Sequence, residues 1–109
     1  MLRDDAFLLD ILESARIALR HLGKKSIDDF QNDVLCQDAV IRRLEIIGEA
    51  TRRTSDETRG TYPNLPWSDM VKMRNVMIHK YDDIDMSLVY ETVLNDLPPL
   101  IAVLEDVFK

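Results

Sequence analysis

Breakers, aromatics and cysteines are all scarce in this chain of 109 residues, and each shortage excludes something. Three glycines and four prolines leave long stretches uninterrupted. Aromatic residues make up only 6% of the chain and β-branched residues never alternate over a strand-length run, which argues against a sheet. The single cysteine, Cys36, rules out an internal disulfide. No apolar run approaches the roughly 18 residues a membrane span needs. The opening Met-Leu-Arg-Asp-Asp lacks the basic end and apolar block of a signal peptide. The expectation is a cytoplasmic protein with no membrane partner. Its length suits one domain, residues 1–109, and is too short for two full cores.

Charge is unevenly spread behind a net value of −6. Residues 1–40 carry five basic and eight acidic groups, residues 41–80 eight and five, residues 81–109 one and seven. An acidic chain is a poor wrapper of long nucleic acid, because phosphate contacts supply most non-specific affinity. The basic middle suits a short phosphate-bearing segment, or else it pairs with the acidic ends across a bundle, which is the plainer expectation.

The helical signals are continuous. Asp4 or Asp5 can cap a first helix running to about Leu22, with Gly23 as its stop and a buried stripe from Phe7 and Leu8 through Leu22. His21 in its last turn suits the helix dipole and takes no other role. Ser26 to Asp29 reads as a short capped helix before Phe30. A second long helix runs from about Asp33 to Arg53 with Val40, Leu44, Ile47 and Ala50 inward. Gly48 inside it costs about 1 kcal/mol relative to alanine, which points to a neighbouring backbone coming close. Cys36 reads as a small core residue. Residues 54–66, with Gly60, Pro63 and Pro66, read as a loop. Trp67 opens a third long helix to about Lys80. A last helix from Asp85 or Met86 must kink or break at Pro98 and Pro99. Four long helices with short connections predict an all-α protein: an antiparallel four-helix bundle with a short extra helix.

The third helix carries the unusual residues. At about 100° per residue, Trp67, Met70, Val71, Met77 and Ile78 all fall within about 60° of Arg74, so Arg74 projects from the middle of an apolar stripe. Arginine is rarely buried unless its guanidinium is paired. Asn75 and His79, four apart, share a face on its border. A purely structural reading pairs Arg74 with Glu45 or Glu49 and lets His79 cap the helix. A functional reading has arginine hold a phosphoryl oxygen while histidine moves protons near neutral pH.

Residues 73–81, Met-Arg-Asn-Val-Met-Ile-His-Lys-Tyr, resemble the Arg-Asn-x-x-x-His-x-Tyr signature of the HepT-like toxins, members of the HEPN superfamily. The segment Ala39 to Ala50, with its Gly-Glu-Ala end, and Leu65-Pro66-Trp67 are similar to that family's second helix and to the approach to its motif helix. The likeness spans most of the chain from Asp38 onward.

This resemblance implies a HEPN-like helical bundle that forms a homodimer, with two Arg-x4-His motifs in one interface cleft. It implies a metal-independent endoribonuclease acting on RNA without a cofactor, as the toxin of a toxin–antitoxin pair. The antitoxin is a minimal nucleotidyltransferase that adenylylates the motif tyrosine. Carried over, Arg74 and His79 are the catalytic pair, Asn75 is a polar accessory and Tyr81 is the modification site. Lys80 transfers no role, and neither does Glu49. The residue types suit the chemistry: a histidine titrating near neutral pH and an arginine fork for charge growing on a phosphorane. Each chain offers one plausible histidine, so a dimer supplies base and acid together. No histidine–cysteine–carboxylate cluster has metal-ligand spacing. The alternative is a non-enzymatic helical module that binds a nucleotide or a nucleotidyltransferase partner.

Overall fold

In the computed structural model, residues 2–77 and 84–109 are described, and all regular structure among them is helical. Helix α1 spans Leu2–Leu22, α2 Ile27–Gln31, α3 Val34–Arg53, α4 Asp56–Thr61, α5 Trp67–Met77, α6 Met86–Glu91 and α7 Leu97–Val107. A π turn at Thr92–Asp96 joins α6 to α7. Among the described residues, no helix is long and apolar enough to cross a membrane.

Local chemistry sets most of the boundaries. Gly23 ends α1 in the left-handed region at φ 56°, where its N–H donates to Leu19 O at 2.9 Å and any Cβ adds strain. Ser26 caps α2, accepting from Asp29 N at 3.1 Å, and Asp33 caps α3, accepting from Cys36 N at 3.0 Å. Asp85 caps α6 through Ser87 N and Leu88 N. The third helix opens at Trp67 as expected, and its described part ends at Met77.

Contacts at the ends of the helices fix their directions. Cys36 Sγ at the start of α3 lies 3.3 Å from His21 O at the end of α1. Asp4, at the start of α1, meets Ser55 just beyond the end of α3. The two helices are therefore antiparallel. Tyr90 donates to Lys25 O at 2.7 Å and Arg16 pairs with Glu105 at 2.7 Å, so α6 and α7 run back along α1. The core between them holds Leu8, Ile11, Ala15, Leu44, Ile47, Met70, Val93, Leu97 and Leu104, each fully buried. Cys36 is buried beside this core, and its burial pushes the thiol pKa up, which keeps it protonated.

Three details depart from the sequence reading. Helix α1 begins at Leu2, ahead of both aspartates, so neither Asp4 nor Asp5 is its N-cap. Residues 54–66 are not all loop: Ser55 accepts from Thr58 N at 3.2 Å and starts helix α4. The prolines, expected to kink or break the last helix, act on the turn before them and do not end it. A regular turn would set the carbonyls of Leu94 and Asn95 against the rings of Pro98 and Pro99, and the wider π turn just before them relieves that crowding. Both prolines then occupy the first turn of α7, where a missing N–H leaves no bond unmade.

Asp4 has become a structural fastener. Its buried carboxylate accepts from the Ser55 hydroxyl, the Thr58 hydroxyl and Ser55 N, locking α1 to the joint between α3 and α4. The Ser55 and Thr58 hydroxyls hold its pKa below the usual carboxylate value, against the opposing effect of burial. A depressed folded-state pKa stabilises the protein above the unfolded carboxylate pKa, and that stabilisation is lost as pH falls through the folded value. Asp4→Asn is therefore expected to lower Tm at pH 7, with the gap from wild type narrowing at about pH 3 and below. Thermal melts of both proteins at the two pH values check this, and a gap that widens in acid would contradict it.

Candidate active site

Helix α5 reaches α3 at Gly48. A Cβ there would lie 2.7 Å from Arg74 N and 2.9 Å from Arg74 Cα, closer than side-chain carbons approach backbone. The contact is therefore a glycine against a backbone, as the cost of a mid-helix glycine implied. The approach to α5 is also anchored. Arg59 donates to Thr51 O at 2.8 Å, its guanidinium stacks 5.7 Å from the Trp67 ring centroid, and Trp67 Nε1 donates to Tyr62 O at 2.9 Å.

From this contact the Arg74 side chain reaches Glu49, the residue after the glycine. Arg74 Nε lies 2.7 Å from Glu49 Oε2. Of the two carboxylates expected as partners, Glu49 is the one used, while Glu45 lies 3.8 Å from Arg42. The other Glu49 oxygen faces Arg52 at 3.4 Å and Arg53 at 3.7 Å, so one carboxylate is shared among three guanidinium groups. Among the described residues of α5, Met70 and Met73 are buried, while the Arg74 side chain is 31% exposed.

Beside Arg74 is a groove of about 310 Å³ between α1, α3 and α5. Arg42, Glu45, Glu49 and Arg53 form one wall along α3, Phe7 and Asp10 line it from α1, and Arg74 closes it from α5. Spacings of three and four place the α3 residues on one stripe. The plainer expectation for the basic middle of the chain is corrected here. Among the described residues, Arg42, Arg52, Arg53 and Arg74 pair with Glu45 and Glu49 of their own region, and not with the acidic ends. Three arginines meet at one glutamate here, while across the groove lining Arg42, Arg53 and Arg74 are matched by Asp10, Glu45 and Glu49.

Of the sequence-derived site residues, Arg74 is placed fully. Asn75 belongs to α5, but its side chain lies outside the described residues, as do His79, Lys80 and Tyr81. Glu49 was expected from sequence only as a structural partner of Arg74 and was given no role in the site. The signal was its neighbour: Gly48 announced a close backbone without saying which helix supplied it.

A second hollow, about 280 Å³, lies between α5 and α7 against Met73 and Leu100. Asp69 and Asp96 flank it, and burial, then Asp69, raises the Asp96 pKa.

The fold and site define an all-helical protein with a carboxylate-held arginine facing a groove. A family model described as ribonuclease HepT-like matches residues 11–107, and the chain belongs to that family. It is 44% identical over 95 residues to "Putative RNase MJ1380" of Methanocaldococcus jannaschii, covering 87% of each chain. It is 36% identical over 94 residues to "Probable ribonuclease HepT" of Thermococcus cleftensis, covering 86% of each. It is 32% identical over 94 residues to "Putative RNase TTE0752" of Caldanaerobacter subterraneus, covering 86% of this chain and 84% of the relative. No solved structure matches the chain. Family and relatives together support a ribonuclease-type function.

Gly48→Ala tests the α3–α5 contact. Alanine gains about 1 kcal/mol in helix propensity, but its methyl meets backbone that no rotamer change can move, and such overpacking costs about 1–3 kcal/mol. The clash is expected to win, so urea denaturation should show a destabilised variant. A Gly48→Ala protein more stable than wild type would show that the two helices stand apart in solution.

Proposed function

We propose that this chain is the toxin of a toxin–antitoxin pair: a metal-independent endoribonuclease that works as a homodimer, cleaves RNA with Arg74 and His79, and is silenced by adenylylation of Tyr81. The observation that carries this reading is Arg74, held by a carboxylate at the rim of a groove instead of being buried or left free in solvent. Membership of a ribonuclease family supplies the reaction class.

In the proposed step the 2′-hydroxyl of a nucleotide attacks its own 3′-phosphorus. His79 of one chain takes the hydroxyl proton, and His79 of the second copy gives a proton to the departing 5′-oxygen. A 2′,3′-cyclic phosphate and a 5′-hydroxyl result, with protons balanced between the two imidazoles. Arg74 binds the phosphorane oxygens, which carry more charge in the transition state than in the ground state, so its contribution appears in rate. Asn75 is the polar accessory of the site.

Arg74→Ala and His79→Ala are each expected to lower RNA cleavage by roughly 10²-fold or more with helical content retained. Arg74→Lys should fail as well, since a point charge does not reproduce the bidentate fork. Cleavage should survive EDTA, and light scattering should give a dimer at micromolar concentration. Activity lost to EDTA and restored by a divalent ion, or a monomer that cleaves at full rate, would overturn the mechanism. Purified wild-type protein that never cleaves RNA in the absence of its partner would favour the non-enzymatic binding module, for which the net acidity of the chain argues.

Control is proposed to run through Tyr81. The nucleotidyltransferase partner would transfer an adenylyl group from ATP to the phenolic oxygen, with pyrophosphate leaving and the phenolic proton lost to solvent. The added phosphodiester is an anion that competes with RNA for the Arg74 guanidinium. Tyr81→Phe keeps the ring and removes the acceptor, so it should stay active and escape silencing on co-expression with the partner gene. Mass measurement checks this. A Tyr81→Phe chain that gains the same mass and loses activity would place the modification elsewhere.

A further inference from the structure

We propose that Glu49 is a positioning residue for the nuclease reaction, holding Arg74 by Nε so that its two terminal amino groups remain for the phosphate. The proposal rests on the ribonuclease reading above and adds a residue to it. The geometry is specific. Arginine has five N–H donors, of which Nε carries one and the terminal nitrogens four. Glu49 Oε2 sits 2.7 Å from Nε, an ion-pair contact that engages the inner edge of the guanidinium and leaves the two terminal nitrogens for an end-on phosphate contact.

Glu49 is itself held. Arg52 and Arg53, on the same face of α3, approach its other oxygen at 3.4 and 3.7 Å, and the glycine before it brings the Arg74 backbone against the helix. Glu49 therefore extends from a fixed element to a fixed element, as a supporting group must if it is to lock a catalytic side chain. Glu45 has no such arrangement, since its near neighbour is the exposed Arg42.

A merely structural ion pair predicts something different. Glu49 and Arg74 are about one-third exposed, and pairs of that kind contribute little to stability because solvent screens them. Loss of Glu49 should therefore register in the chemical step far more than in Tm. Misplacement of a catalytic group by about 1 Å lowers rate by up to about 10²-fold.

The test uses the full-length dimer without its partner, single-turnover cleavage of an RNA oligonucleotide, and NMR of arginine Nε–H groups. Glu49→Ala is expected to lower kcat by roughly 10- to 100-fold with KM nearly unchanged and thermal stability close to wild type. Glu49→Gln, which keeps an acceptor oxygen, should restore part of that loss. In an Arg74→Ala background Glu49→Ala should cost nothing further, because the residue acts only through the arginine. The Nε–H signal that vanishes in Arg74→Ala should shift in Glu49→Gln.

Wild-type cleavage by Glu49→Ala would overturn the proposal. So would an equal loss in both backgrounds, a rise in KM alone, or an Arg74 Nε–H signal indifferent to residue 49. If wild type fails to cleave, or Arg74→Ala cleaves normally, the ribonuclease reading falls and takes this one with it. If Arg74 matters and Glu49 does not, this proposal falls alone.

Discussion

The contact of Gly48 with the Arg74 backbone governs the geometry around it. Packed helix axes usually stand 8–10 Å apart according to the side chains between them, and a glycine removes the side chain from one partner at this crossing. With the Arg74 backbone seated on the α3 surface, its long side chain has to travel along α3 to reach solvent. The first acceptor on that path is Glu49, one residue from the glycine and so displaced around the helix by about 100°. The direction of the guanidinium follows from the helix contact, and the groove beside it follows from that direction. A mid-helix glycine is costly in propensity. Here the return is an arginine whose origin and end are both fixed.

That crossing would drift if the chain joining α3 to α5 were slack. It is instead built from small, mutually bonded pieces. Asp4 gathers the hydroxyls of Ser55 and Thr58, α4 fills half of the connection, and Arg59 links the last turn of α3 to the first residue of α5. These groups lie in a segment whose composition reads as loop, yet the joint positions α5 and hence Arg74. Functional side chains placed by rigid elements keep tighter geometry than those on free loops.

Much of this was legible in the sequence, and the exceptions have physical causes. Capping residues and apolar spacing located α1, α2, α3 and the start of α5 and α6, because those signals act within a few residues of where they appear. The close approach at Gly48 was legible as a contact without an address. Asp4 looked like an N-cap because a short acidic residue ahead of an apolar stripe usually is one. Its true partners are some fifty residues away in sequence, beyond any local rule. Pro98 and Pro99 forecast a kink or a break, and the disturbance takes the form of a π turn just before them, which sequence does not advertise. The choice of Glu49 over Glu45 depends on the height at which α5 crosses α3, which only tertiary packing decides.

The electrostatics of the groove bear on how an acidic chain handles an anionic substrate. Net charge sets long-range attraction, and at −6 that attraction is absent or reversed. Local potential is another matter. Around Glu49 three guanidinium groups share one carboxylate, while Arg42 and Glu45 nearly cancel one turn or two away. The arginines are thus gathered at the end of α3 where Arg74 lies, with Asp10 of α1 also lining the groove. Two of those arginines are in the last turn of α3, where the helix dipole favours cations. A protein arranged this way binds polyanions weakly over most of its surface, because non-specific affinity grows with the number of phosphates neutralised. On the proposed ribonuclease reading, its favourable phosphate contacts would be few and concentrated at Arg74. Discrimination would then rest on the geometry of that arginine more than on charge, and so on the carboxylate paired with it.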